Sequence, residues 1–105
     1  MAVHRIAFSR AAMTAVQEGA VTCALRPELV ATPGDVLLAG LAGQPPLVRL
    51  KVTGFRRGVP FLALTRRELE RAGCGDPQAR ADAVREVGSG ANPSVNVIHF
   101  RLMKR

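Results

Sequence analysis

The sequence lacks tryptophan and tyrosine, and four phenylalanines are its only large aromatic side chains. The core must therefore be aliphatic, built mainly from valine, leucine, alanine and isoleucine. A platform of aromatic side chains on which bases stack, as in RNA-recognition-motif or OB-type domains, is not expected from so few rings. Any affinity for RNA would have to come mostly from charge and hydrogen bonds.

Cysteine is also scarce, and the two residues, Cys23 and Cys74, lie far apart in the chain. They form no C-x-x-C pair and no Cys/His cluster with zinc spacing, so we expect neither a metal site nor a cofactor. Cys23 alternates with apolar neighbours and is predicted to lie in the core. Cys74 stands between two glycines and is predicted to be exposed.

Long apolar runs are missing as well. No segment reaches the ~18 apolar residues that a membrane-spanning helix needs, so no contact with a membrane is expected. The first ten residues do not resemble a secretory signal, and the pattern indicates a cytoplasmic protein.

Acidic residues are outnumbered: eight Asp and Glu stand against fifteen Lys and Arg, which gives a formal net charge of +7. Only Lys51 and Lys104 are lysines, and arginine grips phosphate through a planar fork. The 105 residues suit one domain spanning 1–105. This charge favours a polyanionic partner, RNA or a nucleotide, over the simpler reading of charge that serves only solubility.

Hydrophobic periodicity and turn signals predict an α+β fold, a small mixed β-barrel or curved sheet with short peripheral helices. In 47–55, Val48, Leu50 and Val52 should face the core while Arg49 and Lys51 face outward. Tight turns are expected at 33–35 and 56–58, and a loop at 40–46. Strands are predicted at 3–8, 20–26, 36–39, 47–55, 59–64 and 94–103, and helices at 10–18, 65–73 and 76–87.

Three segments in order carry a family resemblance: Gly19-x2-Thr22-x3-Arg26, then 33–37 (PGDVL), then 95–100 (VNVIHF). Their order and spacing resemble those of the ASCH family, over nearly the whole chain. The resemblance implies a PUA-like β-barrel with a cleft beside it that is suited to RNA or modified nucleosides.

A small bacterial branch of that family resembles amidohydrolases that deacylate N4-acetylcytidine, using a lysine, a threonine and a glutamate. By this resemblance those positions are Val21, Ala24 and Ala72 here, whereas Thr22 and Arg26 keep the family pattern. Valine and alanine supply no base, nucleophile or carboxylate, so we expect no such activity and assign no catalytic residue.

Seven residues are candidates for contact with RNA or a ligand, each with a structural alternative. Arg26 leads, its alternative being an ion pair with Asp35, and Thr22 is placed on the same strand face. Arg10 opens the first predicted helix, where a phosphate would meet free N–H groups. The remaining candidates are Arg56 and Arg57 in the predicted turn and His99 and Arg101 on the last strand.

Three function classes stay open. The leading hypothesis is a non-catalytic ASCH-like module that binds RNA or a nucleotide. A hydrolase for a modified nucleoside would need a rearranged site using Glu68, Glu70, His99 or Cys74. A module that contacts an acidic protein partner is the third. His4 and His99 as a metal pair would still lack further ligands.

Overall fold

The computed structural model describes residues 1–75, 78, 81, 85 and 93–103. Its strands are β1 (Val3–Phe8), β2 (Cys23–Arg26), β3 (Val36–Leu41), β4 (Val48–Pro60) and β5 (Ser94–Leu102). Its helices are α1 (Arg10–Gln17) and α2 (Arg66–Arg71), with a 3-10 turn at Phe61–Ala63. Gln78, Ala81 and Arg85 are helical, and the rest of the helix predicted at 76–87 lies outside the described residues.

The five strands form one mixed sheet in the order β1-β3-β4-β5-β2. β1 runs parallel to β3, and every other neighbouring pair is antiparallel. β1 and β2 are the two edges, so within the described residues the predicted barrel is a curved sheet that backbone pairing does not close. The predicted α+β class is confirmed.

Two apolar clusters occupy opposite faces of the sheet. On the inner face, α1 packs Met13 and Val16 against strand residues such as Leu37, Leu50 and Ile98. On the outer face, α2 and the 3-10 turn cover a second cluster. Its members are Cys23, Leu25, Val59, Phe61, Leu64, Leu69, Cys74, Val95 and Val97. The alternation predicted for β1, β4 and β5 divides these strands between the two faces as expected.

Both helices begin where their capping residues predict. The Ser9 hydroxyl accepts a hydrogen bond from the Ala12 N–H at 3.2 Å and starts α1. Thr65 and Glu68 form the predicted capping box at the start of α2, each side chain accepting from the other's backbone N–H. Gly19 and Gly73 follow the two helices with φ of 79° and 81°, a conformation that glycine adopts without strain.

The tight turn predicted at 56–58 is wrong, because β4 runs through it. The pairing of β4 with β5 shifts register between Arg56 and Val59, so the segment is a bulge rather than a turn. Gly58 has φ 63°, and its N–H donates to Oδ1 of Asn96 at 3.0 Å. The amide of Asn96 therefore replaces the missing ladder bond and lets the long strand bend.

The strand predicted at 20–26 is shorter than expected. Only Cys23–Arg26 pairs with β5, because the N–H of Val21 donates to Ala15 and that of Thr22 to Arg71. Alternation does not reach back to Val21, which packs with the inner cluster while Cys23 packs with the outer one. The predicted shared face of Val21 and Cys23 is wrong. β3 in turn extends to Leu41, into the loop predicted at 40–46.

Candidate functional site

A cleft of about 380 Å³ lies where the edge strands β1 and β2 approach each other beside the start of α1. One wall consists of β1 and the start of α1. A second consists of β2 and Val21 just before it, and a third of Ala72 and Cys74 just after α2. The lining residues are Ala7, Phe8, Ser9, Ala12, Val21, Cys23, Ala24, Leu25, Arg26, Pro27, Ala72 and Cys74. Most of these residues are apolar in type, but exposed polar atoms make up nearly half of the lining surface, so the cleft offers both apolar contact and hydrogen-bonding groups.

Arg26 joins the two sheet edges at this cleft. Its Nη2 donates to the carbonyl oxygen of Ala7 on β1 at 2.7 Å, and its Nη1 donates to its neighbour Leu25 at 3.0 Å. The guanidinium carbon lies 5.1 Å from the ring centroid of Phe8, within cation–π range. One side chain thus bridges the gap that backbone pairing leaves open and forms part of the cleft wall.

The carboxylate considered as the alternative partner of Arg26 has other partners. Asp35 accepts from the N–H groups of Ala2 and Thr32 and from Nε2 of His4, each at 3.0 Å. These bonds, the one from Thr32 foremost, hold the pKa of Asp35 far below its usual range. The stability that they contribute is therefore present above the ordinary carboxyl pKa and is lost only as the pH falls below it.

The three positions that the sequence resemblance aligns with amidohydrolase residues lie close together. Val21, Ala24 and Ala72 all line the cleft. Val21 also lies close to the turn after α2, since a Cβ added at Gly73 would come within 3.4 Å of its Cγ2. Three apolar side chains thus stand at the positions that the sequence resemblance assigns to the lysine, threonine and glutamate of the amidohydrolase branch.

Both cysteines line the same cleft, and both are buried. The predicted exposure of Cys74 is wrong, because the turn after α2 packs it into the outer cluster at 8% exposure. Burial foremost, and then the charges of Glu68 and Cys74, raise the pKa of the Cys23 thiol from 9.0 to about 12, against a smaller opposing effect of Arg71. Cys23 therefore keeps its proton near neutral pH and is a poor nucleophile.

The buried thiol of Cys23 should resist alkylation in the native protein. In a Cys74→Ser variant, which leaves one thiol, we expect iodoacetamide at pH 8 to label Cys23 at least a hundredfold more slowly than in urea. Mass spectrometry of timed samples measures this. Equal rates in the folded and unfolded protein would show that the thiol is accessible and ionised.

Glu68 is the centre of a polar cluster on the outer face. Its Oε1 accepts from the Thr65 N–H at 3.0 Å, and its Oε2 accepts from Arg56 at 2.6 Å, with Nε2 of His99 3.8 Å from Oε2. Burial alone would raise the pKa of Glu68, but the hydrogen bonds from Thr65 and Arg56 outweigh it and lower the pKa. Glu68 is therefore an ionised structural anchor; the sequence indicated it as a helix cap and as a candidate of the hydrolase alternative, but not as the partner of Arg56.

The seven candidate residues do not form one site. Arg26 alone lines the cleft; Thr22 uses its backbone to bond Arg71 and Phe100, and Arg10 is exposed one residue beyond Ser9. Arg56 and His99 belong to the Glu68 cluster, while Arg57 and Arg101 are exposed on β4 and β5.

The histidines are not neighbours either. His4 lies on β1 and His99 on β5, and two strands separate them in the sheet. Among residues 1–75, 78, 81, 85 and 93–103, no three His, Cys, Asp or Glu side chains are grouped so that they could hold a metal ion. No helix within this part is long and apolar enough to cross a membrane.

No family model and no curated protein sequence matches the chain. Several solved structures do share its fold. An ASCH domain from Lactobacillus crispatus superposes with a TM-score of 0.78 at 11% identity, covering 96% of this chain and 79% of the other. A protein from Enterococcus faecalis superposes with a TM-score of 0.78 at 11% identity, covering 98% of this chain and 80% of the other. A hypothetical protein superposes with a TM-score of 0.72 at 16% identity, covering 98% of this chain and 100% of the other. The mixed five-stranded sheet with short helices that the described residues form is therefore the fold of this ASCH domain.

Proposed function

We propose that the chain is a non-catalytic module that binds RNA, holding one unpaired nucleotide in the cleft beside Arg26. The cleft carries the proposal: it lies between the sheet edges, and a permanently charged guanidinium forms part of its wall. Its volume of about 380 Å³ lies at the lower end of the range for small-ligand sites, which suits a single nucleotide.

The chemistry of the walls supports binding rather than turnover. Val21, Ala24 and Ala72 offer apolar surface to a flat base, and Arg26 offers a cation to phosphate or to a base edge. The N-terminus of α1 at Ser9 also borders the cleft and favours negative charge nearby. The net charge of +7 adds a sequence-independent attraction to any RNA strand.

A hydrolase with Cys23 as nucleophile is the alternative that one observation favours. Cys23 is directly opposite His99 across β2 and β5, and Nε2 of His99 lies 3.8 Å from Oε2 of Glu68. A thiol, an imidazole and a carboxylate are therefore neighbours in space, in that order. The burial and high pKa of the thiol oppose this role, and Glu68 is already bonded to Arg56 and Thr65. Turnover of an acylated nucleoside that Cys23→Ala abolishes would establish the alternative.

Filling the cleft tests the binding proposal. Ala12 lines the cleft from α1, whereas Ala11 on the same helix is exposed, so tryptophan at each position makes a matched pair. We expect Ala12→Trp to weaken binding of a short single-stranded RNA at least tenfold, because the ring would occupy the nucleotide's place, and Ala11→Trp to bind as wild type. Fluorescence anisotropy with end-labelled RNA measures both.

Two outcomes of that experiment would contradict the proposal. Unchanged binding by Ala12→Trp, with circular dichroism showing a native fold, would place the RNA elsewhere. Failure of the wild-type protein to bind RNA even at low salt would remove the function itself.

A further inference from the structure

Four basic side chains lie on the outer face of the sheet, beyond the part that α2 covers. Arg5 on β1, Arg49 and Lys51 on β4, and Arg101 on β5 form this set, called the basic face below. Their neighbours Ile6, Leu50 and Phe100 are buried in the inner cluster, so alternation directs the four basic residues to the opposite side. Three of them are exposed, and Lys51 is partly exposed.

Strand register brings these charges together. Lys51 is directly opposite Arg101 across β4 and β5. Leu38 of β3 pairs with Arg5 on one side and with Arg49 on the other, so a second row of the sheet also carries two cations. Like charges directly opposite each other destabilise a sheet. A partner that supplies negative charge would relieve this repulsion between the cations.

The protein supplies little of that charge itself. The five strands contain seven Arg and Lys residues and no Asp or Glu. Of the five acidic side chains in the described part, Asp35 is bonded to His4, Glu68 to Arg56 and Glu70 to Arg66, while the other two, Glu18 and Glu28, lie outside the strands. Within the same part, none of the four basic-face side chains makes a hydrogen bond or an ion pair.

The basic face adjoins the cleft. The carbonyl oxygen of Thr22 accepts from the N–H of Phe100 at 2.9 Å, and Arg101 is the next residue along β5. Thr22 lies just before β2 and follows Val21, which lines the cleft. A strand of RNA that leaves the cleft at Val21 would therefore meet Arg101 first and Lys51 beyond it.

We propose that the basic face binds the phosphate backbone of the RNA strand whose unpaired nucleotide occupies the cleft, an inference that rests on the proposed function. Arg49 and Lys51 are two residues apart on one strand, about 6.8 Å, and a cross-strand partner stands about 5 Å away. Such regularly spaced cations match regularly spaced phosphates. The sequence lacks Trp and Tyr, two of the three residue types that most often anchor protein interfaces, and together with the regular spacing of the cations this favours nucleic acid over an acidic protein.

Salt dependence tests the basic face separately from the cleft. For the double variant Lys51→Gln/Arg101→Gln, we expect the slope of log affinity against log salt to fall by about 1.4 for single-stranded RNA, since each lost phosphate contact removes about 0.7. The control Arg66→Gln/Arg67→Gln removes the same charge from exposed residues of α2 and should change the slope by less than half as much. Anisotropy titrations of a twelve-nucleotide RNA between about 50 and 200 mM KCl give the slopes.

A nucleoside monophosphate distinguishes the two proposals, because it is too short to span both surfaces. We expect Lys51→Gln/Arg101→Gln to bind it as wild type does, while Ala12→Trp loses it. Equal slopes for the basic-face and control variants would overturn the inference and leave the cleft proposal standing. Equally tight, variant-sensitive binding of a polyaspartate peptide would overturn it in favour of an acidic protein partner.

Discussion

Replacing Arg26 by alanine should weaken RNA binding at least tenfold and lower the free energy of unfolding by about 2 kcal/mol. The stability loss follows from the bonds to Ala7 and Leu25 and from the contact with Phe8. The binding loss follows because the same guanidinium forms the cleft wall. Urea unfolding and anisotropy titration of the same preparation measure the two effects.

Arg26→Lys tests whether a positive charge alone is enough at this position. Lysine keeps the positive charge but lacks the planar fork that reaches two carbonyl oxygens at once, so this variant should also be destabilised and should bind RNA weakly. Arg57→Ala is the matched control, because it removes an exposed arginine from β4 and should leave stability within about 0.5 kcal/mol of wild type. An Arg26→Ala protein that binds RNA as wild type does would contradict the proposed cleft.

Replacing Glu68 by alanine should have the largest effect on stability, a loss of about 2–4 kcal/mol. The change removes the carboxylate that caps α2 through Thr65 and leaves Arg56 without its partner. Because the pKa of Glu68 is lowered in the folded protein, its stabilisation is present above the ordinary glutamate pKa of about 4.3 and declines as the pH falls below it. The difference between wild type and variant should therefore shrink in acid.

Glu70→Ala provides the control for this prediction. Glu70 is also on α2 and pairs with Arg66, but the two side chains are 56% and 91% exposed, so their pair should contribute less than about 0.5 kcal/mol. Urea titrations at neutral pH and near pH 4 compare the three proteins. Equal stability of Glu68→Ala and Glu70→Ala would show that the buried carboxylate does not hold α2 in place.

Features set by local sequence were predictable. The Ser9 cap and the Thr65–Glu68 capping box each depend on residues within one helical turn, and both stand where the sequence places them. The two faces of β5, and of β4 from Val48 to Val52, follow from alternation alone. The order of the three family-like segments predicted the fold, although no family model matches the chain.

Features that depend on distant partners were not predictable. The bulge in β4 needs the amide of Asn96, 38 residues from Gly58, and without that partner the arginine–glycine sequence resembles a turn. Cys74 is buried because the end of α2 packs onto β2, which its flanking glycines do not indicate. Arg26 was found from the family pattern, but its bond to Ala7 requires the two sheet edges to meet.

The most direct test of the proposed function is to locate the bound nucleotide. In a two-dimensional amide NMR titration with a short single-stranded RNA, we expect the largest chemical-shift changes on cleft residues, among them Ser9, Ala12, Ala24 and Arg26. Changes confined to other surfaces, with the cleft amides unmoved at saturation, would contradict it.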